Sequence, residues 1–103
     1  MAVDELYEKG MAMRREVLGD SWVDRSLKKR NTFNTEFQEM ITRTVWGQIW
    51  TRPGLDRKTR RCMVIASMIA LGHWEEFKLH VRAALSDAMT PDQIKEIILQ
   101  SAH

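Results

Sequence analysis

Residues 57 to 71, RKTRRCMVIASMIAL, constrain this chain more than any other stretch. After Arg61 the run is apolar on nearly every side, with no polar stripe to leave in water. A helix of that composition has to be covered all round, so it is expected to be the central buried one. Asp56 can cap its first turn through a side-chain oxygen, and Gly72 breaks it at the far end.

Little chain is available to cover it. The sequence has 103 residues, enough for one domain and one core. A domain of this size buries only about 60–65% of its unfolded surface. Seven Met and four Trp are many for such a domain, so part of its apolar surface is expected against another subunit. The net charge of +2 is spread along the chain, unlike the basic stripe of a nucleic-acid binder. Cys62 is the single cysteine, which excludes an internal disulfide or a Cys-x-x-Cys pair; it reads as packing in a reducing compartment. The first twenty residues, MAVDELYEKGMAMRREVLGD, are charged throughout and lack the apolar centre of a signal peptide. The longest apolar run, CMVIASMIALG, is about half of what a membrane span requires. A soluble cytoplasmic protein is expected, with no membrane or nucleic-acid partner.

The remaining pattern is helical from end to end. Leu6, Gly10, Met13 and Val17 keep one face of a first helix that stops at Gly19. The next stretch, DSWVDRSLKKRNTF, has no clean period and reads as an ordered loop carrying Trp22, with Lys28, Lys29 and Arg30 in water. Thr35 and Gln38 have the spacing of a capping box, and Phe37, Met40, Ile41, Thr44, Val45 and Gln48 follow at helical spacing up to the turn TRPGLD. After Gly72 another helix is expected as far as Met89. Thr90-Pro91-Asp92-Gln93 then opens the last one with a cap, a proline at the first position and a glutamine at the third. Ile94, Ile97 and Ile98 hold an apolar face up to the final residues, so a further tail is expected in the complete protein. No segment reads as a strand, and the fold class is all-α.

Within ALGHWEEFKLHVRAAL, residues three, four and seven apart share a helix face. His73, Glu76, Phe77, His80 and Ala84 therefore form one stripe, with Glu76 in reach of both imidazoles. A carboxylate beside an imidazole fixes its tautomer and raises its pKa, which suits an acid or base. The same stripe is compatible with surface polarity, a helix–helix hydrogen bond or a two-histidine, one-carboxylate metal site, although seven-residue spacing on one helix converges poorly. Arg60 and Arg61 start the buried helix, so at least one lies near apolar neighbours and needs a carboxylate from the protein or a ligand. Trp50 to Gly54 places an aromatic and a guanidinium on a rigid turn, which reads as a turn or as the lip of a binding site.

Taken together, RREVLGDSWVDRSL, FNTEFQEMITRTVWGQIWTRPGLDRKTR and EEFKLHVRAALSDAMTPDQIKEIILQ resemble the carboxymuconolactone decarboxylase family, in its 4-carboxymuconolactone decarboxylase branch. Trp46, Trp50 and Arg52-Pro53-Gly54-Leu55 make the middle word the most specific. The resemblance implies an alkylhydroperoxidase D-like helical fold around a central helical hairpin, as an obligate oligomer, usually a hexamer built as a trimer of dimers. It implies a single domain over residues 1 to 103 that lacks the family's C-terminal helix. Distant relatives carry Cys-x-x-Cys-x-x-x-His on the hairpin's second helix. Here His80 matches the histidine, while the cysteine positions hold His73 and Glu76, so thiol peroxidase chemistry is excluded. The glutamate at the head of the buried helix in the wider family is Arg61 here.

The implied activity is cofactor-independent decarboxylation of 4-carboxymuconolactone to the β-ketoadipate enol-lactone in protocatechuate breakdown. The alternative is a non-catalytic or differently specific oligomeric member of the family. On the first reading His80 moves the proton and Glu76 orients it. Arg52, Arg60 and Arg61 are candidate clamps for the carboxylated lactone, and Trp50, Trp74 and His73 line the pocket. No cofactor and no metal are expected.

Overall fold

The structure is a computed structural model that describes residues 4–103. The described residues form helices and turns without a strand. They gather into two compact units, one ending at Pro53 and one running from Gly54 to His103.

In the first unit, α1 (Glu5–Leu18) begins at Asp4, whose side chain accepts from the Tyr7 amide at 3.0 Å. The stretch read as a loop is in fact a helix, α2 (Asp20–Lys28). Its apolar side is too thin to register as a period: Val23 is fully buried and Trp22 and Leu27 half-buried, while most of the rest is polar. Tertiary contacts fix it, with Arg15 of α1 reaching Asp20 at 3.1 Å and Asp24 at 2.9 Å. Packing overrides a weak local pattern here.

The third helix, α3 (Thr35–Ile41), runs into a wider-wound π-helical stretch from Thr42 to Ile49, closed by the Trp50 amide donating to the Val45 carbonyl at 3.0 Å. The expected capping box at Thr35 is absent. The Thr35 hydroxyl instead donates to the Asn31 carbonyl at 2.6 Å, and the helix starts after Asn34. The buried face also differs from the expected one. Thr42, Trp46, Gly47 and Trp50 turn inward, whereas Phe37, Met40, Val45 and Ile49 are exposed. The reason is a backbone-to-backbone approach. A Cβ on Gly10 would overlap the Thr42 carbonyl oxygen, and one on Gly47 would lie 2.8 Å from that of Leu6. Only glycine permits α1 to pack this closely on the π-helical stretch, and that contact fixes which way the helix faces. Trp46 and Trp50 stack at 5.2 Å beside it.

The second unit is a helical hairpin with a third helix laid on it. Asp56 caps α4 (Arg57–Leu71), accepting from the Thr59 amide at 2.8 Å. Gly72, at φ 70°, ends α4 in a Schellman turn: the His73 amide reaches the Met68 carbonyl and the Gly72 amide that of Ile69. The chain then reverses into α5 (Trp74–Ser86). Thr90 and Gln93 form the expected capping box of α6 (Pro91–Ser101). Ile65, Ala84, Met89 and Ile94 make the core, with Cys62, Ile69, Phe77, Val81 and Ile97 against it. The expectation that α4 is covered all round is corrected. Met63 is 55% exposed and Leu71 65%, because α5 and α6 cover only part of its circumference. No described helix is long and apolar enough to cross a membrane.

Candidate functional site

The first turns of α4 and the turn between α5 and α6 bring charge into the second unit. Arg57 and Arg61 are four apart and share a helix face. Arg61 is 1% exposed, and its Nη2 donates to Asp87 Oδ2 at 2.9 Å. Arg57 Nη1 stands 3.8 Å from the same oxygen. Asp87 follows the last residue of α5, and Ala88 after it takes φ 70°, a left-handed conformation that strains a non-glycine residue. The Met89 amide donates to the Ala84 carbonyl, closing this turn and holding the Asp87 carboxylate where α4 presents its arginines.

Asp87 occupies only part of the Arg61 guanidinium. Arg61 Nε and Nη1 are buried with no hydrogen-bond partner in the protein. A guanidinium has five N–H donors and loses several kcal/mol when its charge is buried unpaired, so it is poised for another oxygen acceptor. A cavity of about 360 Å³ opens here, lined by Arg57, Lys58, Arg61, Asp87, Ala88 and Met89. Three cations to one carboxylate give this lining a net positive charge. A larger apolar groove of about 600 Å³ runs between α4 and α6 past Cys62, Met63 and Ile97. It carries none of the residues expected to react.

His80 sits on α5, half-buried. Its pKa is pushed down to about 4, first by burial and then by the nearby Arg61 charge; Glu76 pulls the other way but more weakly. The expectation that Glu76 raises this pKa is therefore right for its own contribution and wrong for the sum. The imidazole is neutral at pH 7.

The remaining expected residues fall in three places. Glu76 is exposed on the His80 side of α5, and His73 and Trp74 are exposed at the hairpin turn, with Trp74 edge-on to Phe77 at 5.7 Å. Arg60 turns its Nε to the Leu55 carbonyl at 3.2 Å and does not line the Arg61 cavity. Trp50 and Arg52 belong to the first unit, where Arg52 lines a cleft of about 530 Å³ with Lys9, Gly47 and Thr51. Sequence reasoning did not single out Asp87. Nothing local marks it, since its partner is 26 positions away. Arg57 was not singled out either, although its spacing of four from Arg61 on one helix could have marked it. Among the described residues no three His, Cys, Asp or Glu side chains are grouped to hold a metal ion.

Comparison with known proteins bears on what this arrangement serves. The model of the carboxymuconolactone decarboxylase family matches residues 35–103, which include α3 to α6. This chain belongs to the carboxymuconolactone decarboxylase family. A 4-carboxymuconolactone decarboxylase of Acinetobacter baylyi is 45% identical over 96 residues, 93% of this chain and 72% of the relative. Another of that name, from Pseudomonas putida, is 63% identical over 41 residues, 40% of this chain and 85% of the relative. A nitrosuccinic acid decarboxylase of Metarhizium robertsii is 37% identical over 97 residues, 94% of this chain and 68% of the relative. No solved structure matches the chain significantly. Within the carboxymuconolactone decarboxylase match lie all the cavity's charges, His80 and both Trp50 and Arg52.

Proposed function

We propose that the chain decarboxylates 4-carboxymuconolactone to the β-ketoadipate enol-lactone without a cofactor. That it is a decarboxylase follows from its family and from the activities in its relatives' names. The observation that carries the finer reading is the buried Arg61 guanidinium, half-satisfied by Asp87 in a cationic cavity and close enough to His80 to depress its pKa.

The chemistry needs few parts. The bond from the ring carbon to its carboxylate breaks, and the electron pair passes through the ring double bond into the lactone carbonyl. The enolate then takes one proton at the carbon next to that carbonyl, and carbon dioxide leaves. The substrate is its own electron sink, so the protein has to bind anions, stabilise the enolate oxygen and deliver the proton. A guanidinium on the departing carboxylate would favour the ground state, because that charge is gone once carbon dioxide has formed. Arg61 and Arg57 are therefore assigned to the carboxylate that survives, on the acetate arm. A carboxylate on Arg61 also offsets the charge that, after burial, holds the His80 pKa down. Binding thus raises the proton affinity of His80 as the reaction comes to need a donor. Glu76, on the same side of α5, supports the protonated imidazole. Trp50, Trp74, His73, Arg52 and Arg60 remain candidates for the rest of the pocket.

Two further expectations belong to this reading. The exposed stripe of Phe33, Phe37, Met40, Val45 and Ile49 supports an oligomer, for which the family's hexamer is the proposed form. The single unpaired Cys62 supports a reducing, cytoplasmic setting.

The test is turnover of 4-carboxymuconolactone, followed by loss of lactone absorbance, for the parent and His80→Gln. Turnover by the parent and a fall in kcat of about a hundredfold or more in His80→Gln are expected. A variant within a few-fold of the parent would remove His80 from the mechanism. The nitrosuccinic acid relative favours a second reading, in which this chain prefers a different acid activated for decarboxylation. A higher kcat/KM on nitrosuccinic acid than on the lactone would decide for it.

A further inference from the structure

The first unit holds a second buried guanidinium that the decarboxylation scheme does not use. Arg14 of α1 is 4% exposed. Its Nη2 donates to the Ser26 hydroxyl at 3.0 Å, and its guanidinium carbon lies 5.5 Å from the centre of the Trp22 ring. Its Nη1 is buried with no hydrogen-bond partner. Arg30, just beyond α2, also has a buried nitrogen without a partner, its Nη2. The two like charges sense each other. Burial lowers the Arg14 pKa first, and the Arg30 charge is the next cause.

Among the described residues the hydrogen-bond partner of Arg14 is the Ser26 hydroxyl, and no carboxylate is paired with it. The acidic side chains of α2 are engaged elsewhere, Asp20 and Asp24 both on Arg15. A hydroxyl and an aromatic face stabilise a guanidinium only partly, and a second cation beside it makes burial harder still. Three elements, α1, α2 and the turn after α2, nevertheless converge to keep Arg14 inside. The donors left over, Nη1 of Arg14 and Nη2 of Arg30, are N–H groups of the kind that a carboxylate accepts from.

We propose that Arg14 and Arg30 form a carboxylate-binding site, separate from the Arg61 cavity, in which one carboxylate bridges the two guanidiniums. The bound group has two possible sources: a free small carboxylate, or an Asp, Glu or chain-terminal carboxylate of a second copy of this chain. Its chemistry is the same in both cases, and Ser26 and Trp22 hold Arg14 ready for it. The site does not depend on the proposed decarboxylation of the lactone.

The experiment titrates arginine-¹⁵N-labelled full chain with succinate and follows the Arg14 Nε–Hε resonance, assigned by its loss in Arg14→Lys. The oligomer mass of the parent and of Arg30→Gln is measured by light scattering. Arg30 is only partly buried, so its variant keeps the fold even where an Arg14 variant does not. A saturable shift of the Arg14 resonance, weakened about tenfold or more in Arg30→Gln, establishes a site for a free carboxylate. An unmoved resonance together with a smaller mass for Arg30→Gln establishes a carboxylate supplied by a second copy. An unmoved resonance with unchanged mass overturns the proposal, leaving Arg14 satisfied by water alone.

Discussion

Arg14 in the first unit and Arg61 in the second are both almost wholly buried, yet Arg61 donates to a carboxylate and Arg14 to a hydroxyl. The units differ in the same sense in how they are packed. The first is set by backbone against backbone at Gly10 and Gly47, with apolar side chains left outside. The second is set by side chains, around Ile65, Ala84, Met89 and Ile94, with a charged cavity at one edge. A buried cation with its own carboxylate sits in a place that can exchange ligands. A buried cation without one keeps an unfilled donor, as Arg14 does at Nη1. Burial alone does not separate the two arginines: Arg61 is distinguished by the cavity beside it and by its charge near His80.

The largest expected effect tests the packing contrast. Gly10→Ala should destabilise the protein by more than about 3 kcal/mol or prevent folding, because its Cβ would have to displace the Thr42 carbonyl. Gly54→Ala, with nothing within 4 Å of its Cβ, should stay within about 0.5 kcal/mol. Denaturant melts of the two variants measure the difference. Equal losses would show that close approach at Gly10 is not what organises the first unit.

Acid comes next. The folded state holds His80 at about 4, below the ordinary 6.5, so between those values the unfolded chain binds a proton that the folded chain does not. Stability therefore falls as pH drops from 6.5 towards 4, by up to about 3 kcal/mol, and this loss is absent above 6.5. His80→Gln should flatten that part of the curve. An unchanged slope would mean that His80 is not held neutral beside Arg61.

The smallest effect separates the two arginines directly. Asp87→Ala leaves Arg61 without its carboxylate and should cost about 2 kcal/mol, discounted because the Asp87 side chain is 46% exposed. Ser26→Ala removes only a hydroxyl from Arg14 and should cost about 1 kcal/mol. Similar values would show that the partner's charge matters less than the comparison supposes. Asp87→Ala should also raise KM, since the proposed carboxylate clamp then loses its support.

Patterns carried by near neighbours were legible without coordinates. The caps at Asp56 and at Thr90 with Gln93, the break at Gly72 and the all-helical class each depend on residues within a turn or so of one another, where spacing is geometry. The exceptions are instructive. The second helix went unread because one buried valine and two half-buried neighbours do not make a period. The inward face of the third was misjudged because tight backbone contacts of Gly10 with Thr42 and of Gly47 with Leu6 outweighed a longer apolar stripe.

For the site, the sequence by itself determined the ingredients: His80 with Glu76 on one helix face, and arginines at the head of α4. Only the tertiary structure decided which of those arginines is buried, that Asp87 holds it, and that burial first and the Arg61 charge second move the His80 pKa down rather than up. The physical reason is range. Helix periodicity is fixed by the backbone within a few residues, whereas burial and the electric field at a side chain come from whatever the fold brings beside it.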